Sequence, residues 1–185
     1  MGKMIECVVD SIRVSLTNQD RITVLKEKDA ERYLPIWMGI PEIDSITIAL
    51  QGVAIARPIT HDLMISILNA LNIRLERCEI THLEADTFYA NLILEQDGVR
   101  KIIDSRPSDA IALAIRAKAP VFVDEDILDE VGIRPEDVLP QVQPEEDSSD
   151  HDVDIDIFED FLGQLGSDRA DNNPPDDPPA EDPKP

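Results

Sequence analysis

The sequence changes character near Pro140, and this change decides which part of the chain can fold. From Gln141 to the end there are 15 acidic and two basic residues, a net charge of −13. A segment this acidic and this poor in aliphatic side chains cannot bury enough surface to offset its chain entropy. The preceding part is rich in Ile, Leu, Val and Ala and can build a core. We therefore predict a folded domain over residues 1–138 and a disordered, acidic, Pro-rich tail over residues 139–185.

One stretch of the tail differs from the rest. Aliphatic and aromatic residues recur among carboxylates over residues 155–165. This pattern is typical of a short amphipathic helix that folds when it binds a protein partner. A fluctuating segment without a partner is the alternative reading.

The cysteines and the apolar runs bear on the location of the chain. Cys7 and Cys78 lie among apolar residues, without metal-ligand or Cys-x-x-Cys spacing, so we expect reduced thiols that pack as small hydrophobic groups. No stretch reaches the ~18 apolar residues of a membrane span. The N-terminus lacks the apolar region of a signal peptide. We therefore expect a cytoplasmic protein without membrane contact.

Strand patterns dominate much of the first 138 residues. The apolar alternation over residues 12–26 predicts a β-hairpin. Asp97-Gly98 predicts a second hairpin, because this dipeptide favours the two-residue turn. The strand over residues 73–83 changes its apolar phase between Leu75 and Cys78, which indicates a bulge or a bend.

Helical patterns alternate with the strands. The helix after Pro107 is apolar nearly all round over residues 110–115, so we expect it at the buried centre of the domain. Other helices are predicted after Pro41, from an N-cap at Thr60, and from Asp124 to Gly132. We predict an α+β (mixed α/β) fold, in which antiparallel hairpins and a mixed sheet pack against about three to four helices.

A proline marks one strand as peripheral. Residues 33–38 form a short apolar segment that contains Pro35, which places the segment at a sheet edge or at the start of a strand. An exposed edge at this position favours a homo-oligomer.

Two polar groups stand where helices are predicted to begin. They are Arg57-Pro58-Ile59-Thr60-His61-Asp62 and Asp104-Ser105-Arg106-Pro107-Ser108-Asp109. Backbone N–H groups at a helix start favour anions, and a guanidinium group binds phosphate in bidentate fashion. We expect Arg57, Arg106 and Ser108 to bind phosphate.

The acidic residues and the histidine of these groups can do hydrolytic chemistry. Carboxylate oxygens hold Mg²⁺ or Mn²⁺, and we assign this role to Asp62, Asp104 and Asp109. His61 can act as a general acid or base near neutral pH. The catalytic set is then His61, Asp62, Asp104 and Asp109, and together the parts suit metal-assisted hydrolysis of a phosphodiester.

A structural reading explains the same residues. Asp in the first turn of a helix is ordinary capping chemistry, and Arg57 and Arg106 can pair with nearby carboxylates. The sequence lacks GxGxxG, GxxxxGK[ST], GxSxG and HExxH motifs, so we expect no organic cofactor.

Four segments resemble the signature segments of the bifunctional nuclease family, long known as a bacterial domain of unknown function. They are LPIWMG (34–39), RPITHDL (57–63), TFYA (87–90) and IDSRPSDAIALA (103–114), and the resemblance extends over residues 4–133. The family is named after plant members described as degrading both RNA and DNA. The resemblance thus implies a nuclease, and it places Arg57, His61, Asp62, Asp104, Arg106, Ser108 and Asp109 in the family motifs.

The charge of the domain opposes this function. Up to Pro140 there are 24 acidic and 15 basic residues, a net charge of −9. Such a charge repels RNA and DNA, whose binders usually carry a basic surface. A non-catalytic interaction or regulatory module, with structural motif residues, therefore stands beside the nuclease as the alternative.

Overall fold

The computed structural model describes residues 2–14 and 21–135. Within these ranges the strands are β1 (Met4–Val14), β2 (Arg21–Glu27), β3 (Tyr33–Met38), β4 (Arg74–Glu84), β5 (Thr87–Gln96), β6 (Val99–Ser105) and β7 (Val121–Asp124). The helices are α1 (Ile40–Gln51), α2 (Thr60–Ala70), α3 (Pro107–Ala117) and α4 (Glu125–Val131). None of these helices is long and apolar enough to cross a membrane. The predicted domain boundary at 138 and the predicted helix at 155–165 lie outside the described residues.

The strands form one sheet in the order β3-β2-β1-β7-β4-β5-β6. Neighbouring strands run antiparallel, except that β4 and β7 run parallel. A mixed sheet packed against four helices is an α+β fold, so the predicted class is confirmed. The prediction that the proline-containing segment lies at a sheet edge is also confirmed, because β3 is an outer strand.

The two predicted hairpins are present. One joins β1 to β2 and the other joins β5 to β6. Asp97 and Gly98 have φ angles of 52° and 80°, and two positive φ angles are what the favoured two-residue turn requires. A third hairpin joins β4 to β5 through Ala85 and Asp86, with φ angles of 47° and 59°. Its turn contains no glycine, so sequence reasoning does not find it.

The predicted bulge lies in β4. The register of β4 against β5 shifts between Leu75 and Arg77. An extra residue at a bulge changes which side chains point to a given face of the sheet. Leu75 and Cys78 therefore both reach the core, although they are three positions apart.

The core lies between the sheet and the helices. Alternate residues of β5, namely Ala90, Leu92 and Leu94, share one core cluster with residues of α1, α3 and α4. The predicted central helix is confirmed, because α3 buries every residue from Ala110 to Ala114 completely. It packs against α1, α2, β4 and β5.

The second helix is oriented differently from what its apolar pattern suggests. Its predicted N-cap, Thr60, is instead the first helical residue, and the backbone N–H of Ile59 donates to a carboxylate oxygen of Asp62 at 3.0 Å. Only His61 is buried on this helix. The half-buried residues Ile65 and Leu68 pack against the core cluster, whereas Leu63, Ile67 and Leu71, which share one face by their helical spacing, are exposed.

Replacing Ile111 by Ala tests the central position of α3. Ile111 is fully buried, whereas Ile102 on β6 is 62% exposed. We expect Ile111→Ala to lower the free energy of unfolding by about 2–5 kcal/mol because it leaves a cavity. The control Ile102→Ala should change it by less than about 0.5 kcal/mol. Urea unfolding measures both variants, and equal losses would contradict the layered core described above.

Candidate active site at the starts of two helices

The starts of α2 and α3 meet through their polar side chains. His61 lies in the first turn of α2 and Asp109 in the first turn of α3. Nε2 of His61 is 3.2 Å from Oδ1 of Asp109. The two motif groups, 48 residues apart in the sequence, therefore contribute to one site.

His61 is held from both sides of its ring. Its Nδ1 lies 2.8 Å from the hydroxyl oxygen of Ser45 on α1. A carboxylate only accepts hydrogen bonds, so Nε2 carries the proton that is shared with Asp109. In the neutral ring Nδ1 then accepts from the Ser45 hydroxyl. Ser45 and His61 are both buried, so this chain of contacts fixes three helices relative to one another.

Arg106 binds Asp109 at the solvent-exposed end of this series of contacts. Its Nε and Nη2 donate to the two carboxylate oxygens of Asp109 at 2.8 and 3.1 Å. Its Nη1 donates to Glu42 of α1 at 2.9 Å. These partners, Asp109 first, raise the pKa of Arg106. Burial raises the pKa of Asp109, but hydrogen bonds from Arg106 and His61 outweigh burial and hold that pKa below its usual value.

Asp62 belongs to a neighbouring ion pair. Nε of Arg116, at the end of α3, donates to Asp62 at 2.6 Å. The same guanidinium group donates to the backbone oxygens of Ala112 at 2.9 Å and Ser45 at 3.1 Å. The hydrogen bond from Arg116 is the largest cause that lowers the pKa of Asp62, and the Ile59 N–H adds to it.

Ser45, His61 and Asp109 are the three residue types of a serine-protease catalytic triad, but their hydrogen bonds are arranged differently. In a serine protease the hydroxyl bonds Nε2 and the carboxylate bonds Nδ1, and here the ring nitrogens are exchanged. Ser45 is also buried inside the helix layer, so its hydroxyl does not reach a substrate. The groups that face solvent are Arg106 and one edge of Asp109.

The other expected phosphate ligands lie in different surroundings. Arg57 is exposed in the loop before α2, and none of the side chains that the structure describes pairs with it. Ser108 is buried in the first turn of α3. Their roles remain predictions, and Arg57 is the more accessible of the two.

Asp104 lies apart from the chain of contacts around His61. It is on β6 opposite Asn91, whereas its neighbour Ser105 is opposite the core residue Ala90. Because side chains alternate along a strand, Asp104 points to the other face of the sheet. Across residues 2–14 and 21–135, no group of three or more His, Cys, Asp or Glu side chains is placed to hold a metal ion. The carboxylates of Asp62 and Asp109 as placed hold arginines.

Three residues of the site are missing from the sequence-based set. Glu42, Ser45 and Arg116 come from α1 and from the end of α3. Only Ser45 carries a signal, since it is a polar residue between the apolar positions Ile43 and Ile46. Arg116 and Glu42 look like ordinary surface charges until the helices are packed.

Acid should weaken the domain through Asp62 and Asp109. The pKa values of both carboxyl groups are lower in the folded chain than in the unfolded chain. The two carboxylates therefore stabilise the fold fully above the pKa of an unfolded Asp, ~3.9. This stabilisation is lost as the pH falls through their pKa values in the folded chain. We expect Arg116→Gln to lower stability at neutral pH by roughly 1–3 kcal/mol. It should also flatten the decline of stability between about pH 5 and about pH 2.

Urea unfolding over a pH series measures both effects. Arg74→Gln is the control, because the Arg74 side chain is 67% exposed and its ion pair with Glu95 is long, at 3.5 Å. A decline as steep in Arg116→Gln as in the unmodified chain would show that the Asp62–Arg116 pair contributes nothing to acid sensitivity.

Known proteins resemble the chain over most of the described part. The bifunctional nuclease domain model matches residues 23–136. An uncharacterized protein of Mycobacterium tuberculosis is 34% identical over 164 residues, which cover 88% of this chain and 96% of that protein. Bifunctional nuclease 1 of Oryza sativa subsp. indica is 29% identical over 141 residues, which cover 72% of this chain and 42% of the rice protein.

These matches include both helix starts and the segments between them. The family model spans more than half of the chain, and the resemblance stated from the four sequence segments is therefore confirmed. The chain belongs to the bifunctional nuclease domain family.

Proposed function

We propose that this chain hydrolyses phosphodiester bonds in RNA, DNA or both. The observation that carries the proposal is the contact between His61 and Asp109, since it joins the two family motifs into one site beside the exposed Arg106. The rice relative is named a bifunctional nuclease. Because the chain spans 42% of its length, the activity comes to this chain as a proposal.

Two arginines would bind the phosphate. Arg106 is 64% exposed and sits at the N-cap of α3, where backbone N–H groups favour an anion. Arg57 is exposed, and no described side chain neutralises it. A phosphate bound by Arg106 would compete with Asp109 and Glu42 for its guanidinium group.

Asp109 would orient the attacking water once a phosphate draws Arg106 away. An ionised carboxylate accepts hydrogen bonds from water, and the hydrogen bond from Nε2 of His61 would continue to favour the ionised form of Asp109. His61 is buried with both ring nitrogens bonded. We therefore assign His61 a positioning role, exerted through Asp109, in place of the direct proton transfer expected from the sequence.

A divalent cation remains part of the proposal, but the protein would supply only some of its ligands. The described carboxylates as placed do not fit a metal ion held by protein groups alone. Asp104 points to the other face of the sheet, so Asp109 is the carboxylate of the predicted set that would hold a cation beside a phosphate bound by Arg106. Mg²⁺ commonly binds through one or two carboxylates together with substrate phosphates, and it would supply charge neutralisation and an activated water.

The non-catalytic module remains the second candidate, and one observation favours it. Both first-turn carboxylates already hold arginines, and His61 is enclosed between Ser45 and Asp109. On this reading the motif residues stabilise the contact between helices. Substitutions would then lower stability without changing any activity.

Replacing Arg106 tests the nuclease proposal with a matched control. The side chains of Arg106 and Arg100 are equally exposed, at 64%, and each binds carboxylates. We expect Arg106→Gln to lower kcat/KM by roughly 10²–10³-fold, as loss of one transition-state donor does. Arg100→Gln should leave kcat/KM nearly unchanged.

Cleavage of labelled single-stranded RNA and DNA, with Mg²⁺, Mn²⁺ or EDTA, measures the effect. Activity that persists in EDTA would remove the cation from the proposal. Absence of cleavage in every condition by the unmodified chain would reject the nuclease function itself. Equal activity of the two variants would reject the role of Arg106.

Replacing Arg57 tests whether its guanidinium group contacts the nucleic acid. A phosphate contact contributes about one unit to the slope of log K against log salt. We expect Arg57→Gln to raise KM, and to lower this slope in a binding titration by about one unit. Arg74→Gln serves as the control for a general change in charge. An unchanged slope would place Arg57 outside the binding surface.

A further inference from the structure

The outer side of α2 is an apolar surface that no residue in the described part of the chain covers. Leu63 is 54% exposed, Met64 39%, Ile67 48% and Leu71 54%. We call these four residues the α2 face. The apolar residues Ile43 and Ile46 of α1 are, by contrast, buried.

This helix carries an apolar stripe that is wider than its contact with the core. At about 100° per residue, the α2 face occupies one sector of roughly 100°, and His61, Ile65 and Leu68 occupy the sector next to it. The inner side packs against the core. A helix that packs on one side only typically has an apolar stripe of about 100°, and the two sectors of α2 together make about twice that width. Within the described ranges the α2 face has no cover.

The four residues of the α2 face lie within one sector of a single helix, so they form one continuous apolar patch. An exposed apolar patch of this kind often marks a protein interaction site. A stable twofold interface needs about 800 Å² from each copy. The patch therefore supplies the apolar centre of such an interface but not its rim.

Charge distinguishes this surface from the rest of the chain. The sequence carries a net charge of −22, so two copies repel each other through most surfaces. From Thr60 to Ile73 the one formal charge is Asp62, which is paired with Arg116. The residues that border Leu63 around the helix, Ala70 and Ser66, are uncharged.

We propose that the α2 face packs against the α2 face of a second copy of this chain. A surface without fixed charge contacts its own copy without like-charge repulsion, and an isologous contact about a twofold axis closes with two copies. The apolar spacing of Leu63, Ile67 and Leu71 suits the packing of two helices side by side. This assembly is independent of the proposed nuclease activity.

The β3 edge, where the sequence favours a homo-oligomer, is less suited to this contact. Tyr33 already exchanges backbone hydrogen bonds with Ile133, at 2.8 and 2.7 Å. The edge is therefore partly covered by the chain itself. The α2 face has no such cover among the described residues.

Sedimentation equilibrium of the full chain tests the proposal. We expect twice the chain mass of 20.6 kDa for the unmodified chain and the chain mass for the double variant Leu63→Glu with Ile67→Glu. The matched control is Val99→Glu with Ile102→Glu on β6, whose residues are 58% and 62% exposed. This control should remain a dimer. Circular dichroism and urea unfolding confirm that each variant is folded.

A second measurement does not depend on the stability of the glutamate variants. Cys7 and Cys78 are buried, and burial raises the pKa of each thiol to about 12, so neither reacts readily with a maleimide. Single cysteines placed by Leu63→Cys, Met64→Cys or Ile67→Cys should therefore be the reactive groups. We expect a bis-maleimide reagent to link two copies at one or more of these positions, and not at Ile102→Cys.

Three results would overturn the proposal. They are a chain that stays monomeric at high micromolar concentration, a folded Leu63→Glu and Ile67→Glu double variant that stays dimeric, and cross-linking at Ile102→Cys that equals cross-linking on α2. A dimer that is lost in the β6 control alone would place the interface at that sheet edge.

Discussion

Complete burial of α3 is the constraint on which the rest of the structure depends. Five consecutive residues, Ala110 to Ala114, have no exposed surface, and a helix presents five consecutive residues to all directions. The sheet covers one side of α3, while α1 and α2 cover others. Once these layers close, the polar residues at the helix starts have little water left as partner. Ser45, His61 and Asp109 then bond to one another because buried polar groups need hydrogen bonds.

Local patterns predict the parts of the fold that local forces determine. The Asp97-Gly98 hairpin, the β4 bulge and the apolar helix after Pro107 are readable from neighbouring residues. The hairpin turn at Ala85 and Asp86 is not, because neither residue favours a positive φ angle as glycine does. The apolar face of α2 is equally visible in the sequence. Its exposure is not, since periodicity identifies a face without saying what covers it.

The candidate site is predictable in part for the same reason. The motifs identify His61, Asp109 and Arg106, which the structure brings together. Strand alternation separates Asp104 from them, and this depends on the register of β6 against β5. Ser45 and Arg116 join the site through helix packing alone. These contacts join residues that are separated by 16, 48 and 54 positions in the sequence. Such separations produce no local sequence pattern from which the contacts could be predicted.

The two motifs look alike in sequence, but their charged residues form different ion pairs. Each has an arginine, a proline and an Asp at the third helical position. Arg106 holds its own motif's Asp109, whereas Asp62 is held by Arg116 from the far end of α3. Arg57 is therefore left without a described partner. In the set formed by Glu42, Asp62, Asp109, Arg106 and Arg116, carboxylates outnumber guanidinium groups, so a phosphate would have to displace a carboxylate to reach Arg106. Under the proposed function, attraction of a nucleic acid would therefore depend strongly on Arg57, which no described side chain neutralises.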